Sequence, residues 1–168
     1  MPELPDNSFD EARRWLANVE DDLHAMRVVA GDPESPGRMV CFLSHLVVEK
    51  ALKATLIDAC LPFKKTQDLL ALHAMCIQVG RLRGVGVATL EVLHPWAVDG
   101  RYEDDLVEAD AELADRLAGF AEQVVAEVRR ELGAERGDEL PGAGRPGLRG
   151  AGHGARTVRR PSDDLGAR

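Results

Sequence analysis

Three ionisable side chains, Glu49, Lys50 and Lys53, stand in the stretch Ser44-His45-Leu46-Val47-Val48-Glu49-Lys50-Ala51-Leu52-Lys53-Ala54. Over residues 39–56 the other clearly polar groups are Ser44, His45 and Thr55. A helix apolar nearly all round is normally central in a bundle. Ionised groups on such a helix require a partner, a wet seam or a ligand. Glu49 and Lys53 lie four apart with the acid first, the favoured order for an intrahelical ion pair. Lys50 faces elsewhere and has no such partner on its own helix. One reading is an ion pair plus a lysine that reaches solvent along its stem. The other is a polar groove holding a nucleotide phosphate or a partner's carboxylate, with lysine as a mobile point charge.

Arg101 and Tyr102 follow Gly100 at an expected helix boundary. A planar guanidinium there suits bidentate contact with a phosphate, and glycine-flanked polar loops often carry function. The plainer account packs Tyr102 on the bundle end and pairs Arg101 with Asp104 or Asp105. His24, His73 and His94 are dispersed without a second ligand at helical spacing, so packing or surface roles are expected. Cys41, Cys60 and Cys76 lack metal-ligand spacing and sit in apolar patterns. That predicts buried thiols in a reducing cytoplasm and no metal site. Trp15 and Trp96 read as core anchors. Gly84-x-Gly86 lacks the strand and further glycine of a dinucleotide loop, and reads as a linker.

The elements that position these residues are helical. Ser8-Phe9-Asp10-Glu11 has the form of a capping box and predicts a helix start at Ser8, with Asn7 as the other candidate cap. Trp15, Leu16, Val19, Leu23, Met26 and Ala30 then recur at helical spacing. A Gly- and Pro-rich loop over 31–37 ends this helix. The second helix is expected over about 38–59, with Pro62 as its stop, making an antiparallel hairpin with the first. Thr66 is the expected cap of a third helix, a short helix follows over 87–93, and the last helix spans about 103–132. Its seam is Leu106, Leu113, Leu117, Phe120, Val124 and Val128. Seven acids over 103–115 and Arg129 with Arg130 near the other end suit the helix dipole. The expected fold class is all-α: an antiparallel up-and-down four-helix bundle with a short extra helix and a disordered C-terminal tail.

Composition sets the domain plan. Residues 1–132 form one bundle, large enough to bury a core without disulfides. Residues 133–168 hold nine of the sixteen glycines and seven arginines against five acids. With almost no large apolar side chains, that tail is expected to be disordered. It carries +2 of the net charge of −8, leaving −10 on residues 1–132. An acidic bundle is an unpromising surface for phosphate-dominated RNA binding. No leader pattern opens residues 1–10, and the run over 39–56 carries three charges, so a cytoplasmic protein without a membrane span is expected.

The stretch Glu49-Lys50-Ala51-Leu52-Lys53-Ala54 resembles the signature helix of the HEPN domain family, small prokaryotic helical bundles that often accompany nucleotidyltransferases. His45 and Leu46 stand where that family commonly has two glutamines. Residues 12–23 resemble its opening helix. Lys65-Thr66-Gln67-Asp68-Leu69 resembles its Thr-His-Asp-Leu element, with Gln67 in the place of histidine. Ala97-Val98-Asp99-Gly100-Arg101-Tyr102 resembles its Arg-Tyr-Pro element, with Glu103 in the place of proline. The four matches fall in order over about 10–132.

The resemblance implies a homodimer or a pairing with a separately encoded nucleotidyltransferase in a toxin–antitoxin-like system. It implies no cofactor and a nucleotide or partner site at Glu49, Lys50, Lys53, Arg101 and Tyr102. Catalytic members resemble one another in an Arg-x(4–6)-His element for metal-independent RNA cleavage. There histidine acts as base on the ribose 2′-hydroxyl and arginine stabilises the phosphorane. Arg38 and His45 fit that spacing and share a helix face, but on the second helix instead of late in the bundle. No histidine follows Arg101 until His153. The expectation is therefore a non-catalytic module, with a ribonuclease toxin acting through Arg38 and His45 as the alternative.

Overall fold

A computed structural model gives the structure of residues 7–97 and 109–134. All regular structure among them is helical: α1 (Asn7–Ala30), α2 (Gly37–Asp58), α3 (Leu69–Gln78), α4 (Val87–Leu93), a 3-10 turn (His94–Ala97) and α5 (Ala111–Ala134). The all-α bundle with a short extra helix is as the sequence pattern requires. Arg101, Tyr102, Leu106, the expected helix start at Glu103 and the tail beyond 134 lie outside the described residues.

Helix α2 is the axis of the molecule. It packs against α1, α3, α4, α5 and the 3-10 turn, which is why its sequence is apolar nearly all round. Val47, Val48, Ala51, Leu52 and Leu56 are fully buried on it. They meet Leu16, Val19, Leu23 and Met26 of α1, and Leu117, Val124, Val125 and Val128 of α5, in one continuous core. The pairs Arg27–Glu122 and Glu20–Arg129 join α1 to α5. Numbering rises along one helix as it falls along the other, so the two run antiparallel. Within α2 the hydroxyls of Ser44 and Thr55 donate to the carbonyls of Val40 and Ala51, at 2.8 and 3.1 Å. Buried hydroxyls are thereby satisfied without leaving the helix.

Several boundaries differ from expectation for local reasons. Helix α1 opens at Asn7, one residue before Ser8. The cap of α3 is Asp68, not Thr66: its Oδ1 accepts from the Ala71 amide at 3.0 Å, the third N–H of the helix. Thr66 Oγ1 instead accepts from the Asp68 amide, a turn that delivers the cap. Helix α5 opens at Ala111, where Asp110 Oδ1 accepts from the Leu113 amide at 2.7 Å and caps the first turn. Leu117, Phe120, Val124 and Val128 of its expected seam are buried, and Leu113 is partly so. Trp96 is buried as expected, but Trp15 is only partly covered.

Cys60 corrects the expectation of three buried thiols. It is exposed, with φ +52°, and sits just past the end of α2 where the Leu61 and Cys60 amides bond back to Leu56 and Ile57. This is a Schellman ending with cysteine in the left-handed position that glycine normally fills. Helix α3 ends the same way with glycine: Gly80 has φ +78°, and the Arg81 and Gly80 amides bond to Cys76 and Ile77.

Candidate functional site

Spacing of four along α2 stacks His45, Glu49 and Lys53 on one face. All three are buried, at 2, 8 and 7% exposure. Lys53 Nζ lies 2.5 Å from Glu49 Oε1, the ion pair read from the spacing. The other carboxylate oxygen of Glu49 is 3.8 Å from His45 Nδ1. His45 Nε2 has no hydrogen-bond partner among the described residues. Burial lowers the His45 pKa to about 4, helped by the charges of His94 and Lys53 and opposed by the backbone of Gln67. At neutral pH the ring is therefore uncharged, and Glu49 has one cationic partner in Lys53.

The neighbours of this cluster come from two elements whose role spacing alone does not reveal. Gln67 belongs to the segment leading into α3, and His94 opens the 3-10 turn. His94 Nδ1 in turn lies 4.0 Å from the α3 cap Asp68. The sequence reading placed His94 at the surface or in packing. Its position beside Pro95 and Trp96 gives no hint of the contact, which depends on how the turn folds back over α2. Asp68 and Gln67 carry a sequence signal in the Lys65-Thr66-Gln67-Asp68-Leu69 element, which by itself does not show the contacts of Gln67 with His45 and of Asp68 with His94.

Lys50 has a partner the sequence did not disclose. Its Nζ lies 2.5 Å from Asp22 Oδ2 on α1, so its charge is engaged on a different side of α2 from Glu49 and Lys53. Arg38 is exposed in the first turn of α2, while His45 is buried two turns further on. Seven residues correspond to about 10 Å of helix rise. Among the described residues no group of three or more His, Cys, Asp or Glu side chains is placed to hold a metal ion. No described helix is long and apolar enough to cross a membrane.

A second polar assembly fixes the turn between α3 and α4. The Leu82 amide donates to both carboxylate oxygens of Glu131 at 3.0 and 3.2 Å, and the Gly84 amide donates to Glu127 at 3.2 Å. His73 Nε2 contacts the Leu82 carbonyl at 3.1 Å, and Arg81 pairs with the buried Asp58 at 3.1 Å. Leu82 itself is held at φ +53°. A Cβ at residue 84 would stand 2.9 Å from the Glu127 carboxylate, so that carboxylate would have to shift to admit one. These groups are tied to one another and hold the fold's end together.

No curated protein and no solved structure matches the chain. A family model for the HEPN domain matches residues 12–131. The match runs from the first turns of α1 almost to the end of α5, and it includes the whole His45–Glu49–Lys53 face of α2. With more than two thirds of its length so matched, the chain belongs to the HEPN domain family.

Proposed function

We propose that this protein is a non-catalytic HEPN module that binds a nucleotide or a partner protein through polar groups of α2, Glu49 and Lys53 on one side and Lys50 on another, together with Arg101 and Tyr102, the residue that follows it in sequence. It is one half of a two-component, toxin–antitoxin-like system with a nucleotidyltransferase. The observation that carries this reading is the buried His45–Glu49–Lys53 face of α2. A buried ion pair adds little to stability relative to well-packed apolar groups, so charges retained on the central helix favour a role beyond folding. Arg101 follows the 3-10 turn by four residues in sequence, and that turn packs on α2.

The ribonuclease alternative is weakened by the same geometry. A general base must come within hydrogen-bond reach of the proton it takes, and His45 is enclosed while Arg38 stands exposed at the helix start. Calorimetry of the full chain with ATP as probe tests the binding reading. Lys50→Glu with Arg101→Glu should weaken binding at least about tenfold, near 1.4 kcal/mol; unchanged affinity rejects these groups as the site. Induced expression separates the two functions: growth arrest and RNA decay relieved by His45→Ala would establish the nuclease instead.

A further inference from the structure

Helix α3 has no Asp, Glu, Lys or Arg in its ten residues, yet four of the ten are exposed. Leu69, Leu72, His73 and Cys76 are buried, whereas Ala71, Ala74, Ile77 and Gln78 are exposed. Helix α4 packs on α3 and exposes Val87, Ala88 and Val92, with Glu91 between them. Among the exposed large apolar side chains, Ile77, Val79, Val87 and Val92 all belong to this pair of helices or to the residue that ends α3. A helix without charged side chains is normally covered on every side, and a concentrated exposed apolar surface marks a binding face.

Charge tells what covers it. Lys64 and Lys65 are exposed just before α3, and Arg83 is exposed just after it. None of the three has an ion pair among the described residues. This face thus carries three exposed bases against two acids, Glu91 and the half-exposed cap Asp68, a small positive surplus on a domain whose net charge is −10 over residues 1–132. A second copy would bring the same positive surplus against itself, which like-charge juxtaposition disfavours. The chain's own residues 133–168 are also net positive and nearly without large apolar side chains, so they complement neither property.

We propose that the α3–α4 face docks an acidic amphipathic helix of a different protein. The apolar stripe of that helix lies on Ala71, Ala74, Ile77, Val87 and Val92. Its carboxylates meet Lys64 and Lys65 at one end and Arg83 at the other. Helix α3 is about 15 Å long, so a partner helix of about three turns spans the bases. The face shares no residue with the polar groups on α2, and the two sites are tested independently.

The test places the photo-cross-linking residue p-benzoylphenylalanine at Ala74 of the full chain, in the cells that normally make it. The cross-linked segment is then sequenced by mass spectrometry, with a probe at Ala71 as a second reading. The expected product is a segment of another protein with apolar residues at spacings of three and four, flanked by Asp or Glu. Combining Lys64→Glu, Lys65→Glu and Arg83→Glu, all on exposed side chains, should lower its yield about tenfold. A cross-link to a second copy, to the chain's own tail or to a segment without acidic flanks overturns the proposal. So does a yield indifferent to the charge reversal, or no cross-link at either position.

Discussion

His45 makes the folding of this bundle sensitive to acid. In the unfolded chain the ring takes up a proton near pH 6.5, whereas in the folded chain burial delays that until about pH 4. Between these values the unfolded state binds more protons, so acidification favours unfolding. The stability present above pH 6.5 should decline by up to about 3 kcal/mol as pH falls towards 4. Urea midpoints measured from pH 7 to pH 4 check this, and His45→Leu should flatten that part of the profile. The groups that face the ring are Glu49 and Lys53 on α2, the Gln67 backbone and His94 on the 3-10 turn. Beside it, Lys53→Met strands the Glu49 carboxylate and should cost about 3–5 kcal/mol. The double replacement Glu49→Leu with Lys53→Leu should recover most of that loss in the same denaturation assay. The Glu49–Lys53 contact was legible because it depends only on helical spacing. The Lys50–Asp22 contact was not, because it depends on how α1 and α2 cross.

Helix ends show what local chemistry decides. The bounds of α4 follow from Gly86 and Pro95, both visible in the sequence. The start of α3 turned on whether Thr66 or Asp68 takes the capping role. Both are competent caps by type, and the choice rests on which amide each oxygen reaches. At the end of α2 the left-handed backbone at Cys60 carries a side chain that costs about 1 kcal/mol there. Cys60→Gly should therefore stabilise the domain, raising the thermal midpoint by about 2–4 °C in calorimetry. The grip of α5 on the α3–α4 turn had no sequence signal at all. The role of Glu127 and Glu131 appears only when backbone amides 43 and 49 positions away are brought beside them. Glu131→Ala leaves the Leu82 amide without its acceptor and should destabilise by about 1–3 kcal/mol, whereas Glu112→Ala, on the exposed first turn of α5, should change little.

For the whole molecule, the all-helical class and family membership were open to a reader of the sequence. The periodicities are long, and the Glu-Lys-Ala-Leu-Lys-Ala helix is specific. The dispositions of Lys50, His94 and the α5 acids needed three dimensions. We propose that the bundle folds without its tail: a chain ending at Ala134 should keep the thermal midpoint of the full chain. A lower midpoint would mean that residues beyond 134 contribute to the core. The clamp formed by Glu127 and Glu131 also orders events in time. A ribosome makes the turn at residues 81–84 well before it makes the carboxylates that hold it. The first two helices can associate early, but the middle of the protein must wait for its last helix to emerge. Nascent chains stalled before residue 127 should accordingly be cut by protease between α3 and α4, while the finished protein resists.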